Sequence, residues 1–160
     1  MKRDILNHLI CFLIYFLFIT LINKLFSFSY WPLYVGGFIG LFMPSIDHIL
    51  HVLLFKPLEL TSQRVLNLIK TKKIKEVTAL LYDTRNERQD LIFHTLNFQI
   101  IFLSLTFWVL TSSGNNFGRG LVLGFYLSLV LYNLRKFINK EIKEYFYITI
   151  VLLFVFGVMI

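Results

Sequence analysis

The chain has 160 residues, 57% of them hydrophobic and 18% aromatic, with a mean hydropathy of +0.70. A soluble domain is nearer about 45–50% apolar, so the composition excludes an ordinary water-soluble globule and predicts an all-α, polytopic membrane helix bundle in a single domain, residues 1–160. Lys and Arg outnumber Asp and Glu by 16 to 9; in a membrane protein that excess reports topology and contact with anionic lipid headgroups, and no nucleic acid partner is expected. Cys11 is the lone cysteine, which excludes an intramolecular disulfide and a thiolate zinc cluster.

The start, Met1-Lys2-Arg3-Asp4 before an apolar run, superficially resembles a signal peptide. The run from Ile5 to Ile22 is longer than a typical signal core and no small-residue cleavage site follows it. It is therefore expected to be an uncleaved first span, over 5–26. Tyr30-Trp31-Pro32 forms an aromatic turn suited to a membrane interface. The second span is expected over 33–55. Gly36, Gly37 and Gly40 there permit close helix packing, and Pro44 predicts a kink.

Residues 56–90 change character. Lys56, Arg64, Lys70, Lys72, Lys73, Lys75, Arg85 and Arg88 fall here, while Val65, Leu66 and Ile69, then Ile74, Val77 and Leu81, recur at helical spacing. This pattern predicts a basic cytoplasmic segment with one or two amphipathic helices on the membrane surface; a solvated loop with an apolar side is the alternative.

The third span is expected over 91–111, followed by the polar turn Ser112–Asn116 and a fourth span over 118–134. The last span is expected over 142–160. Its uncharged part, Tyr145–Ile160, reaches only about 24 Å. That is short for a ~30 Å core, so Lys143 and Glu144 are expected to snorkel or the membrane to be thin there. With the N-terminus inside, every Lys and Arg except Lys24 and Arg119 falls on the cytoplasmic side. The positive-inside rule thus predicts about five spans, N-in and C-out, in the plasma (inner) membrane.

Ionisable groups at bilayer depth cost roughly 2.5–3.5 kcal/mol each on insertion scales, so they are functional candidates by default. Asp47, His48 and His51 lie together in the second expected span. Asp47 and His51 are four residues apart and share a helix face, while Asp47 and His48 are about 100° apart around it. The expected topology puts His8 (first span), His94 (third span) and the pair Tyr132 and Asn133 (fourth) in the same leaflet. Imidazole nitrogen with one carboxylate suits Zn²⁺, Mn²⁺ or Fe²⁺, so Asp47, His51, His94 and either His8 or His48 are candidate metal ligands. A metal-bound water would then supply hydroxide; Asp47 could instead act as a general base. His94 could also belong to an interhelical polar network with Thr95, Asn97 and Gln99.

Pro44-Ser45-Ile46-Asp47-His48 resembles the Pro-Asp-Xaa-Asp-His motif of the LexA-regulated, membrane-bound metal-dependent hydrolase family. His8 matches that family's early histidine, and Arg88 through Phe93-His94-Thr95 is similar to its Arg and His-Ser/Thr motif. Gly120–Ser128 looks like its late glycine-containing helix. The resemblance covers about residues 5–135. Ser45, Ser128 and Tyr132 stand where an Asp, a His and an Asp are expected. The resemblance implies a divalent metal and hydrolysis of a lipid or phosphoester at the cytoplasmic interface. The substitutions keep open a catalytically degenerate membrane scaffold of the same family, and a small transporter is the remaining alternative.

Overall fold

The computed structural model describes residues 2–55, 57–84, 91–138 and 146–160, and among these there is no strand. The helices are α1 (Lys2–Ile22), α2 (Trp31–Phe42), α3 (Ile46–Leu50), α4 (Leu60–Lys70), α5 (Ile74–Asp83), α6 (Leu96–Ser112), α7 (Asn116–Ile138) and α8 (Phe146–Val158). They divide into two compact units, residues 1–44 with 96–160 and residues 45–95. Lys56, Arg85, Arg88, Lys140 and Lys143, all expected on the cytoplasmic side, lie outside the described residues, as does the Lys143–Glu144 entry to the last span.

The first unit is a bundle of α1, α2, α6, α7 and α8. Among the described residues, three stretches are long and apolar enough to cross a membrane: Ile5–Ile22, Phe28–Leu50 and Asn116–Leu134. Leu96–Ser112 and Tyr147–Val158 are shorter apolar helices. Leu13, Ile14 and Leu17 on α1, Ile101 and Trp108 on α6, and Val151 on α8 all stand exposed. Buried positions in the same bundle include Thr106, Ser128 and Asn133. Water would penalise so large an apolar surface, whereas hydrocarbon demands it. Both features, the apolar helices and their exposed apolar surface, are those of a membrane protein.

Glycine sets the closest packing. A Cβ at Gly120 or Gly124 would come within 2.7 Å of the carbonyl carbon of Leu33 or Gly37, and one at Gly40 within 2.8 Å of the Phe125 amide nitrogen. Gly36 and Gly40 on α2 thus interlock with Gly120 and Gly124 on α7, two small-xxx-small stripes that let backbones touch. As residue number rises along α2, the facing residue on α7 rises too, so these helices run parallel.

The other contacts fix the remaining directions. Phe12 meets Phe38 and Thr20 meets Tyr34, so α1 opposes α2. Phe102 meets Phe125 while Gln99 pairs with Asn133, so α6 opposes α7. Tyr126 meets Phe156 and Phe137 meets Tyr147, so α7 opposes α8. Tyr15 donates to the Leu153 carbonyl at 2.8 Å and Asn23 to that of Gly157 at 2.7 Å, making α1 and α8 parallel. Helices α1, α6 and α8 therefore point one way, and α2 and α7 the other.

Several boundaries differ from those the sequence suggests. α1 stops at Ile22 rather than at residue 26, because Lys24 takes a left-handed conformation (φ 53°) and the Leu25 amide bonds back to the Thr20 carbonyl at 3.1 Å. This is a Schellman closure with lysine where glycine is usual. The stretch expected as one helix over 33–55 changes type three times: α2 gives way to a 3-10 turn at Met43–Ser45, then α3, then a π turn at His51–Phe55. Pro44 lacks the amide that an α-helix needs there. Finally, α6 begins at Leu96, so residues 91–95 precede that apolar helix and belong to the second unit.

In that second unit, the basic segment forms two amphipathic helices, α4 and α5. Val65 and Val77 bury against Val52 of the π turn, with Leu68, Leu80 and Leu81 packed around them. Lys72 is left-handed (φ 57°), and the Lys73 amide bonds to the Leu68 carbonyl at 3.0 Å, so the same closure joins the two helices. Of the apolar residues at helical spacing, Ile69 and Ile74 are exposed.

Candidate functional site

The second unit gathers the polar groups. Pro44 ends the regular helix and lets α3 restart at Ile46 with Asp47 in its first turn, where a helix N-terminus favours a carboxylate. Asp47 is 1% exposed. Its Oδ2 accepts a hydrogen bond from the Phe93 backbone amide at 2.7 Å and lies 3.3 Å from Nδ1 of His94. Phe93 and His94 sit on a 3-10 turn, Ile92–His94, whose opening amides lack intrahelical partners. The Asp47 carboxylate therefore caps the turn and orients the imidazole in one stroke. The Thr95 hydroxyl closes the turn by donating to the Ile92 carbonyl at 2.8 Å.

His94 is thus displaced from its expected place inside the third membrane helix. It stands on the preceding turn, its side chain 8% exposed, held against Asp47. Of the interhelical polar network suggested for it, Gln99 bonds across helices: Gln99 and Asn133 exchange amide hydrogen bonds, the shorter at 2.9 Å, between α6 and α7.

His51 shares the Asp47 face, as the four-residue spacing requires, and is 2% exposed. Among the described residues, neither of its ring nitrogens has a hydrogen-bond partner, nor does Asp47 Oδ1 or the buried Ser62 hydroxyl on α4. α4 packs against the π turn that begins at His51. Buried polar atoms are almost always paired in native proteins, through protein or through ordered water. π turns recur at functional sites. Ser62 is a polar residue that sequence reasoning missed; its only signal was a hydroxyl one turn before the apolar Val65. His48 is half-buried, its ring 6.2 Å from that of His94. His8 lies on α1 in the first unit, half-buried.

Carboxylate oxygen and imidazole nitrogen are suitable donors for zinc, manganese or iron. Among the described residues, however, no three His, Cys, Asp or Glu side chains come together in a way that could hold a metal ion. Asp47 Oδ2 is engaged by Phe93 and His94, and the His94 ring lies against that of His48, 6.2 Å between centroids. The geometry is that of a hydrogen-bonded carboxylate–imidazole pair. No family model, no curated protein and no solved structure matches this chain.

Proposed function

We propose that this protein is a membrane-bound hydrolase that acts at the cytoplasmic face of the plasma membrane on an ester or phosphoester, with Asp47 and His94 as its acid–base pair. The observation that carries this reading is the buried carboxylate at the end of a membrane helix, 3.3 Å from a histidine nitrogen. Five alternating spans, N-in and C-out, underlie it. The alternation of direction among α1, α2, α6, α7 and α8 supports that count, and the distribution of Lys and Arg supports the orientation.

In this mechanism Asp47 Oδ2 accepts the Nδ1 proton of His94, which fixes the tautomer and makes Nε2 the basic nitrogen. As water attacks the phosphorus or acyl carbon, its proton passes to Nε2. The imidazolium so formed is stabilised by the Asp47 carboxylate and then returns that proton to the leaving oxygen. His51, Ser62 and Asp47 Oδ1 are the buried polar atoms that a bound water or substrate oxygen would satisfy.

The test is hydrolysis of lipid esters and phosphoesters by the purified protein in vesicles, comparing wild type with Asp47→Asn and His94→Gln. Both variants should insert and fold yet lose turnover, and a chelator should leave wild-type turnover unchanged. Turnover lost to chelator and restored by zinc would put Asp47 and His94 in metal chemistry instead.

A second reading has its own support. The 2.7 Å bond from the Phe93 amide makes Asp47 a structural anchor for the 91–95 turn, and three positions expected to carry ligands hold Ser or Tyr. A degenerate scaffold of this kind would tolerate Asp47→Asn, since an asparagine oxygen can accept the same bond, and would show no Asp47-dependent turnover.

A further inference from the structure

The tip joining α4 to α5 carries an apolar pair set among cations. Ile69 is 44% and Ile74 71% exposed. Lys70, Lys72, Lys73 and Lys75 surround them, and all four are exposed. The core of the unit cannot claim either isoleucine, because Val65 and Val77 already fill the inward faces of the two helices. The left-handed Lys72 turns the chain so that the last turn of α4 and the first of α5 share one tip. Glu76, bonded to Lys73 at 3.1 Å, is the only carboxylate between residues 69 and 76. Two large aliphatic side chains and a surplus of lysines on one short tip have the chemistry of an interfacial membrane anchor.

The chain position argues for the same partner. Residues 45–95 leave α2 and return to α6, both helices of the membrane bundle, so the bilayer surface is the neighbour always present.

We infer that the Ile69–Lys75 tip docks onto an anionic bilayer surface, Ile69 and Ile74 entering the acyl boundary and the lysines engaging lipid phosphates. The inference is independent of the chemistry at Asp47. Each lysine near such a surface contributes about fivefold to the docked population, so the four together make docking strongly dependent on anionic lipid and on salt.

The experiment uses the full chain with Cys11→Ser and Ile74→Cys, the new thiol carrying an environment-sensitive NBD fluorophore. The protein is reconstituted into phosphatidylcholine vesicles with and without phosphatidylglycerol, and lipids spin-labelled high in the acyl chain serve as quencher. Quenching should be strong with phosphatidylglycerol, weak without it, and relieved by high salt. Combining Lys70→Gln, Lys72→Gln, Lys73→Gln and Lys75→Gln should abolish the lipid dependence. A parallel label at Ile69→Cys guards against local disruption at residue 74 and should behave the same. Quenching that is equal in the two lipids, or absent from both, overturns the inference, as does a blue-shifted label that spin-labelled lipid cannot reach.

Discussion

Replacing Gly124 by alanine should be among the most damaging single-methyl additions to this protein. The added Cβ would meet the Gly37 carbonyl group on α2, with its carbon 2.7 Å away. The obstacle is backbone, so no side chain can rotate aside and α2 and α7 must separate. Overpacking costs roughly 1–3 kcal/mol where side chains can yield, so about 3 kcal/mol is expected here. The control lies in the same helix: a Cβ at Gly118 would meet nothing within 4 Å. Gly118→Ala should be neutral or stabilising by up to ~1 kcal/mol through helix propensity alone. The two variants should therefore differ by about 3–4 kcal/mol in unfolding free energy. Unfolding in mixed micelles titrated with a denaturing detergent, followed by circular dichroism, reads that difference. Gly124→Ala and Gly118→Ala unfolding within about 0.5 kcal/mol of each other, the range of an inconsequential surface change, would refute the close backbone contact between α2 and α7.

Further expectations concern single groups. Asp47→Ala leaves the Phe93 amide without its acceptor and should destabilise the second unit by about 1–3 kcal/mol, while Asp47→Asn should cost less than half of that; hydrogen exchange of the 91–95 amides resolves the two. Gln99→Leu or Asn133→Leu alone should cost about 1 kcal/mol and the double variant little more than either, a non-additivity that a double-mutant cycle in detergent measures. Tyr15→Phe removes the bond to the Leu153 carbonyl and should loosen α8 from α1 by about 0.5–1.5 kcal/mol, read as a lowered unfolding midpoint. In Cys11→Ser protein, a thiol introduced at Ser113 should react with an impermeant reagent from outside intact cells, and one at Lys70 only after lysis.

Much of the architecture is legible in the sequence because bilayer solvation leaves few choices. Unbroken apolar runs must be helical. The amphipathic pair α4 and α5 could be read from spacing alone. The displaced features depend on partners far away in the chain. Helix α1 ends at Lys24, a residue that carries none of the signal a glycine would at a left-handed position. The glycines of α2 suggested a close neighbour, but nothing local identified Gly120 and Gly124 as its counterpart. His94 falls in an apolar run that reads as part of the third span, and it leaves that span because Asp47, 47 residues earlier in the chain, caps the turn that bears it. The Asp47–His94 pair was anticipated as two members of a metal sphere. Sequence reasoning could name the donors but not where their lone pairs point.

The Asp47–His94 pair is the centre of the functional account, and a double-mutant cycle on turnover tests it most directly. Lipid ester and phosphoester hydrolysis would be measured for wild type, Asp47→Asn, His94→Gln and the combined variant in the same vesicles. If the two residues act as one unit, each single change should abolish nearly all turnover and the combination should be no worse than the more severe single change. Losses that multiply, or a variant at Asp47 that turns over like wild type, would contradict the pair and leave Asp47 as an anchor for the 91–95 turn.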